Sequence, residues 1–245
     1  MGLEGTISPQ LGNLSFLIVL DLQGNSFHGE LPHELLQLKR LKLLNLSNND
    51  FVGEIPSRIG EISTFDIKGT IPHAIGQLRQ LRYLSIGNNR LLSGMIPTTI
   101  CNMSSLEVIY LANNSLSGEI PKEIGDLSQL KMVNLQDNFL VGNILMFNNT
   151  SLQYLYLGYN NMTGILPSNV CQELPNLRSL YLLHNDFYGA MPNVWHDCKE
   201  LEDLELSLNN FDKGRIPADI GKLAKLQFLY LADNNLEGKI FLPIY

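Results

Sequence analysis

The stretch Leu106–Gln129, LEVIYLANNSLSGEIPKEIGDLSQ, is one complete copy of a unit that recurs along the 245-residue chain. It contains an apolar comb (Leu106, Ile109 and Leu111), an asparagine three residues beyond the comb (Asn114) and a GEIP turn. The comb and its asparagine return in steps of 24, 40, 25, 24, 22, 25, 24 and 25 residues. The recurring asparagines are Asn25, Asn49, Asn89, Asn114, Asn138, Asn160, Asn185, Asn209 and Asn234.

This periodicity predicts the fold class. A period of 20–29 residues with the pattern LxxLxLxxN is the signature of a leucine-rich repeat. We therefore expect a single α/β repeat solenoid over residues 1–245, with about ten repeats between residues 14 and 240. Each coil should add one strand to a concave parallel β-sheet and a short 3-10 or loop segment to the convex side.

The repeat near residues 60–75 is shortened. The step from Asn49 to Asn89 is 40 residues, which is one normal step of 24 plus 16. Phe65 and Ile67 resemble the strand of this repeat, but a GTIP turn follows at once, without an asparagine loop. Either the solenoid tolerates a short coil, or a segment is missing from the sequence. The second interpretation is favoured, because a lost loop would remove buried polar contacts.

The recurring asparagines are predicted to be structural. The chain turns sharply after each strand, which leaves backbone groups without strand partners. A buried asparagine offers both donors and an acceptor, so it can satisfy groups of its own loop and of the adjacent coil. Replacing one by leucine should cost about 1–3 kcal/mol.

Composition excludes several functions. The net charge of −7 argues against a nucleic-acid partner, because binding phosphates requires clustered Lys and Arg. The chain contains no run of about 20 apolar residues that could span a membrane. Catalytic, phosphate-binding and metal-binding motifs are missing, so we expect no catalytic residue, no metal site and no cofactor.

The three cysteines are predicted to be unpaired. Cys101 and Cys171 occupy the same frame three coils apart, about 14 Å at roughly 4.8 Å per coil, which is too far for a disulfide. Cys198 is one coil from Cys171 but shifted by two residues. We therefore interpret all three as small buried apolar residues.

The turn LSGEIPKEIGDL at Leu116–Leu127 resembles the plant-specific repeat found in the ectodomains of receptor-like kinases, and the repeat style is similar to the immune-receptor branch that senses bacterial patterns. The resemblance implies an extracellular ligand-recognition domain that acts in defence signalling. In that family a single span and a cytoplasmic Ser/Thr kinase follow. This chain contains neither, nor a signal peptide or a cysteine-paired cap, so we expect it to be a fragment.

One exposed strand column is the predicted ligand-binding site. Between the comb positions it reads Asp21, Asn45, Asp66, Ser85, Tyr110, Asn134, Tyr156, Tyr181, Glu205 and Tyr230. Rows of tyrosine are favoured at recognition surfaces, although tyrosine is also simply a good strand residue. We predict that a peptide or protein ligand binds Tyr110, Tyr156, Tyr181 and Tyr230, together with Tyr154 and Glu205. The implied partners are this ligand and a co-receptor ectodomain.

Sequons favour an extracellular location, on the face of the plasma membrane or secreted. Predicted glycosylation sites are Asn13, Asn102, Asn113, Asn148 and Asn161. Asn45 and Asn149 also stand in sequons, but Asn45 projects from a strand. Two alternatives to a receptor remain open. One is a secreted inhibitor of a cell-wall-degrading enzyme, and the other is a truncated receptor product without a function of its own.

Overall fold

The computed structural model describes residues 2–51, 69–144 and 149–237. Nine short parallel strands, one from each successive coil, form a single main sheet. They are β1 (Val19–Asp21), β2 (Leu43–Asn45), β3 (Tyr83–Ser85), β4 (Val108–Tyr110), β5 (Met132–Asn134), β6 (Tyr154–Tyr156), β7 (Ser179–Tyr181), β8 (Asp203–Glu205) and β9 (Phe228–Tyr230). The predicted leucine-rich-repeat solenoid is therefore confirmed.

Each three-residue strand points its middle side chain into the core and its outer two side chains to the opposite face, because strand side chains alternate. The middle residue is Leu, Ile or Val throughout, and from β1 to β8 it is buried. The register aligns these middle residues from strand to strand, for example Val133 with both Ile109 and Leu155. Stacking of coils thus builds one continuous core.

The other side of the solenoid carries three smaller parallel sheets and a row of short helices. The sheets comprise Glu4–Gly5, Ser26–Gly29 and Asp50–Phe51; Gly69–Thr70, Leu92–Gly94, Ser115–Glu119 and Phe139–Val141; and Thr163–Ile165, Asp186–Gly189 and Asn210–Phe211. The 3-10 helices are Pro9–Asn13, His33–Gln37, His73–Gln77, Thr98–Asn102, Lys122–Asp126, Trp195–Asp197 and Ala218–Lys222, and Val170–Glu173 is α-helical.

The GxIP turn has a steric explanation. Gly118 has a φ of 78°, in the left-handed region that favours glycine. A Cβ at this position would lie 2.9 Å from the Met95 side chain of the preceding coil. The proline that ends the turn, here Pro121, has an extended ψ of 123° and is the N-cap of the following 3-10 helix. The motif therefore joins a short strand to a helix at a close contact between coils.

The recurring asparagines link neighbouring coils by hydrogen bonds. In Asn138, Nδ2 donates to the carbonyls of Leu135 and Gln136 in its own loop and to Leu111 of the preceding coil, at 3.0–3.1 Å. Its Oδ1 accepts the N–H of Leu116 at 3.0 Å. The same pattern, with Oδ1 accepting from the preceding coil, recurs at Asn49, Asn160, Asn185 and Asn209.

Four asparagines of this ladder have hydrogen bonds that differ from this pattern: Asn25, Asn89, Asn114 and Asn234. Asn25 bonds to its own loop, and its Oδ1 accepts the N–H of Leu3. Asn114 accepts from the Asn89 N–H, because the loop after Asn89 is one residue longer. Asn89 Oδ1 and Asn234 Oδ1 are buried without a partner among the described residues. Among the described residues, the full pattern is therefore present at Asn49, Asn138, Asn160, Asn185 and Asn209.

The strands on either side of the 40-residue step are direct neighbours in the main sheet. Strand β2 pairs directly with β3, with Leu43 opposite Tyr83 and Leu44 opposite Leu84. The ladder agrees, because Asn89 Nδ2 donates to the carbonyl of Leu46 in the adjacent coil. The strand expected at Phe65 and Ile67 lies outside the described residues.

The prediction of three unpaired cysteines is wrong. Cys171 and Cys198 form a disulfide across neighbouring coils, with their Cα atoms 4.7 Å apart. Cys171 lies in an α-helix where other coils have a 3-10 helix, and the 3-10 helix before Cys198 has only three residues. Because of these different backbone paths, the two-residue shift of Cys198 in the repeat frame does not keep the two cysteines apart in space. Cys101 is free but half-buried rather than buried.

Candidate functional site

The hydrogen-bond register places the predicted ligand-binding column in one row across the main sheet. Asn45 is directly opposite Ser85, and Asp66 lies outside the described residues. In order, the row is Asp21, Asn45, Ser85, Tyr110, Asn134, Tyr156, Tyr181, Glu205 and Tyr230. A parallel row on the same face begins at Val19 and includes Tyr154, Ser179, Asp203 and Phe228. These two rows form the outer face of the sheet.

Three of the predicted tyrosines lie together. Tyr156 on β6 meets Tyr181 on β7 edge to face, with ring centroids 5.1 Å apart and an interplanar angle of 81°. Tyr154 lies beside Tyr156, with centroids 6.3 Å apart. Edge-to-face contact aligns the positive ring edge with a negative ring face, which holds the two rings in fixed orientations. The result is an aromatic platform, defined here as Tyr154, Tyr156 and Tyr181.

Burial and nearby charge keep the phenols of Tyr156 and Tyr181 protonated. Burial raises the pKa of Tyr156, and the Asp203 carboxylate adds to this increase, while a hydrogen bond with Ser179 opposes it. The pKa of Tyr181 is also raised, first by burial and then by Asp203. Both hydroxyls therefore remain neutral at physiological pH and can donate hydrogen bonds to a ligand.

Tyr110 and Tyr230 are separate from the platform. Asn134 stands between Tyr110 and Tyr156 in the row, and the Tyr110 ring covers Gly87, where any Cβ would collide with it. Tyr230 stacks on Phe228 with ring centroids 6.5 Å apart, two strands beyond Tyr181. The stripe expected from sequence is thus one cluster with two outlying rings.

Glu205 requires a correction, because it was predicted as an exposed ligand contact. It is only 8% exposed, and its Oε1 accepts the N–H of Ser207 at 2.8 Å. Asp21, Asn45 and Asn134 in the same row also accept a backbone N–H two residues ahead. This row position therefore stabilises the turn after the strand wherever the side chain carries a suitable oxygen.

Sequence reasoning missed Asp203 and Ser179, which complete the surface next to the platform. The Ser179 hydroxyl donates to Asp203 Oδ2 at 2.6 Å. Both belong to the row of Tyr154 and Phe228, one position from the middle of the strand. The alternation that singled out the tyrosine row applies equally to this row, so the signal was present in the sequence.

The outer-face positions of the nine described strands carry no basic residue, although the Arg82 guanidinium lies 5.9 Å from the centroid of the Tyr83 ring. The first and third residues of the nine strands include three carboxylates, Asp21, Asp203 and Glu205, and no Lys, Arg or His. The nearest basic side chains lie one residue before the strands and face other acids. Arg178 pairs with Glu202 at 3.5 Å, and Lys131 pairs with Glu107 at 2.9 Å. Glu107 also pairs with Arg82.

Open cavities occur at two places in the described part of the chain. One, of about 390 Å³, is bordered by Asp137, Phe139, Tyr159, Asn161 and His184, with the Tyr159 and His184 rings in edge contact at 5.1 Å. The other, of about 410 Å³, contains Cys101. Burial, followed by Glu123 and Asp126, raises the pKa of the Cys101 thiol to about 11, so the nucleophilic thiolate is disfavoured.

Four predicted glycosylation asparagines are accessible. Asn13, Asn102, Asn113 and Asn161 are exposed. Asn148 lies outside the described residues. Asn149, which also stands in a sequon, is 2% exposed and donates to the carbonyl of Leu127. Glycosylation of the four exposed sites remains a prediction that their accessibility allows.

Within residues 2–51, 69–144 and 149–237, no group of three or more His, Cys, Asp and Glu side chains could hold a metal ion. No helix in these ranges is long and apolar enough to cross a membrane. The outer face of the main sheet therefore offers hydrogen-bonding phenols, aromatic area and carboxylates. This chemistry suits non-covalent recognition.

Comparison with known proteins gives consistent relatives. A family profile described as a leucine-rich repeat region matches residues 62–213, and a leucine rich repeat profile matches residues 16–38 and 40–62. The receptor-like protein kinase HAIKU2 of Arabidopsis thaliana is 30% identical over 143 residues, which is 58% of this chain and 12% of that protein. The chain matches 9–12% of the length of three curated Arabidopsis relatives.

Two solved structures share the fold over 97% of this chain. The Arabidopsis receptor kinase HAESA, solved in complex with the peptide hormone IDA and the co-receptor SERK1, is 31% identical with a TM-score of 0.84. The match covers 37% of the HAESA chain. A plant ice-binding protein is 27% identical with a TM-score of 0.78, and 71% of its chain is covered.

Proposed function

Because the chain belongs to the leucine-rich repeat family, we propose that it is an extracellular ligand-recognition segment of a plant receptor. Its aromatic platform binds a peptide or protein ligand. The observation that carries this proposal is the edge-to-face contact of Tyr156 and Tyr181 on the outer face of the main sheet. Aromatic residues with hydrogen-bonding tips are enriched among the residues that dominate binding energy at interfaces.

The extracellular location is supported by the Cys171–Cys198 disulfide, because such bonds persist in oxidising compartments. The four exposed sequon asparagines agree with this location. Membrane attachment is through a span outside this chain.

Two features support a receptor with a peptide ligand. HAESA, which shares the fold, is a receptor kinase in complex with a peptide hormone and a co-receptor. The repeat turn at Leu116–Leu127 resembles that of immune-receptor ectodomains, which supports defence signalling as the output. In this proposal the segment itself is not catalytic. It presents the ligand, and a co-receptor ectodomain contacts the composite surface.

The test is capture of extracellular plant peptides by the glycosylated 245-residue chain, quantified by mass spectrometry. The double variant Tyr156→Ala/Tyr181→Ala should lose the captured peptides at least about tenfold, since aromatic hot spots typically contribute 2 kcal/mol or more. The matched control is Tyr188→Ala, which removes a 48% exposed tyrosine from one of the smaller sheets. Equal capture by the double variant and the wild-type chain would refute binding at the platform.

A further inference from the structure

The surface around Asp203 has a defined chemistry that narrows the ligand. Asp203 lies on β8 between Ser179 on β7 and Phe228 on β9. Tyr181 follows two residues after Ser179 on the same face, and Glu205 follows two residues after Asp203. Asp203 therefore has an aromatic residue on the same face of each neighbouring strand, Tyr181 on β7 and Phe228 on β9.

The carboxylates have no cationic partner among the described residues. Asp203 accepts one hydrogen bond, from the Ser179 hydroxyl, and Glu205 accepts one, from the Ser207 N–H. Neither contact neutralises a charge. Arg178, which stands one residue before β7, is paired with Glu202. The two negative charges therefore remain uncompensated beside the aromatic platform.

An aromatic ring next to a free carboxylate attracts a planar cation. The negative face of tyrosine or phenylalanine attracts Lys or Arg within about 6 Å of the ring centroid. A guanidinium adds two parallel N–H donors that match the two oxygens of a carboxylate, and its flat, weakly hydrated surface stacks on rings. An ammonium group has the charge but lacks this planar fork.

Other occupants fit poorly. An anionic group would be repelled by two carboxylates, and an apolar side chain would desolvate Asp203 without pairing it. A metal ion is disfavoured, because the described residues offer no cluster of three suitable ligands. The raised pKa of Tyr181, due first to burial and then to Asp203, agrees with an excess of negative charge at this location.

We propose that Asp203, Ser179, Tyr156, Tyr181 and Phe228 form a subsite for an arginine side chain of the bound peptide. This Asp203 subsite rests on the proposed function. The guanidinium stacks on Tyr181 and donates to Asp203, whose Oδ2 is held by Ser179. Glu205 on β8, which is opposite Tyr181, adds a second negative charge, so the subsite selects arginine over neutral side chains of equal size.

The test uses nuclear magnetic resonance of the 245-residue chain labelled with 13C in its tyrosine rings. The probes are the pentapeptide acetyl-GSRSG-amide and the same peptide with citrulline, a neutral residue of the same shape, in place of arginine. The arginine peptide should shift the Tyr156 and Tyr181 resonances, with an affinity at least about tenfold above that of the citrulline peptide. Raising the salt concentration from 0.05 M to 0.5 M should reduce only the arginine peptide's advantage.

Asp203→Asn is the matching variant, because its amide oxygen can still accept from the Ser179 hydroxyl. It should lower the affinity for the arginine peptide to the citrulline level. Asp21→Asn removes the same charge from β1, seven strands or about 34 Å away, and should leave the affinity unchanged. Unperturbed tyrosine spectra of the free variants verify the fold, and the salt series tests the subsite without any variant.

Three results would overturn the subsite. They are equal affinity of the wild-type chain for both peptides, an unchanged preference in Asp203→Asn, and no shift at the tyrosines with either peptide. The first two leave peptide recognition at the platform intact and remove only the arginine preference. In the third case the subsite is rejected, and the capture experiment with Tyr156→Ala/Tyr181→Ala decides the proposed function separately.

Discussion

Asn138 and Leu116 lie on neighbouring coils, and the Asn138 side-chain oxygen accepts the backbone N–H of Leu116 at 3.0 Å. The amide nitrogen of the same side chain donates to carbonyls of both coils. One side chain therefore supplies polar partners to two loops that have no strand to bond with. Leucine has a similar size but can form none of these hydrogen bonds. Replacing Asn138 by leucine therefore measures how much the hydrogen bonds, rather than the packing, contribute to stability.

Asn138→Leu should lower the free energy of unfolding by about 1–3 kcal/mol, because the Leu116 N–H and the loop carbonyls remain buried without partners. Chemical denaturation of both proteins measures the difference. The matched control is Asn193→Leu, at an exposed asparagine without a side-chain hydrogen bond in the described structure. A loss at Asn138 no larger than at Asn193 would contradict the structural role.

The regular coils could be predicted from sequence because one side chain type solves the same problem in each of them. Wherever a loop bends after a strand, an asparagine is required, so the period in the sequence is the period in space. The pairing of β2 with β3 could not be predicted in this way. Two turn motifs, GEIP at 53–56 and GTIP at 69–72, stand between these strands in the sequence and are equivalent in pattern. The pattern therefore favours an intervening strand, whereas the structure pairs Leu44 directly with Leu84.

The disulfide predicts a specific thiol count. Of the three cysteines, Cys101 alone is free, so the denatured, unreduced chain should react with one equivalent of a thiol reagent. After reduction it should react with three. Three reactive thiols before reduction, in protein from an oxidising compartment, would contradict the Cys171–Cys198 bond.

Cys171→Ser/Cys198→Ser should lower the free energy of unfolding by about 3 kcal/mol, because the bond closes a loop with a sequence separation of 27 and restricts the unfolded chain. Cys101→Ser is the control and should have a smaller effect, because Cys101 is half-buried and closes no loop. Denaturant titration of the two variants gives both values. The idea fails if the double variant is as stable as the control.

Glu107 is 8% exposed and pairs with Arg82 and Lys131 from the coils on either side. The hydrogen bond from Lys131, helped by Arg82, holds the pKa of this carboxyl below its ordinary value. A lowered pKa in the folded state means that the stabilisation is present above the ordinary pKa and is lost as pH falls through the folded value. Sequence patterns did not identify this triad, because its three members lie in different repeats.

Glu107→Gln should therefore destabilise the chain by about 1 kcal/mol at pH 7, since both cationic partners are half-exposed. Below the pKa of the folded carboxyl, the wild-type chain and the variant should become equally stable. Unfolding experiments in a series of decreasing pH, starting at pH 7, measure how the difference between the two proteins changes. The control is Glu200→Gln, which removes the surface partner of Lys225 and should have a smaller effect at pH 7. A pH-independent difference at Glu107 would indicate altered packing instead of a lost ion pair.

At the candidate site, alternation along the strand predicted which residues share a face but not how deeply each is buried. Glu205 and Tyr181 stand side by side in one row, yet Glu205 turns back to the Ser207 N–H while Tyr181 projects over the sheet. A short or flexible acidic chain can reach its own turn, whereas a phenol is too long and rigid to do so. The depth of each side chain thus depends on local hydrogen-bond geometry that the one-letter pattern does not contain.

The phenols of Tyr156 and Tyr181 should ionise at a higher pH than an unperturbed tyrosine. Burial and Asp203 raise the pKa of Tyr156 and Tyr181 above the ordinary value of 10. Because the unfolded chain releases these protons first, their stabilising effect is complete below pH 10 and is lost as pH rises through the folded pKa values. Ultraviolet titration should show that Tyr156→Phe and Tyr181→Phe each remove a phenol that ionises above the ordinary pKa of tyrosine. Asp203→Asn should lower the pKa of Tyr181, because the negative charge that opposes formation of the phenolate is removed. An unchanged Tyr181 titration in Asp203→Asn would show that the carboxylate does not act on the ring to which the arginine subsite is assigned.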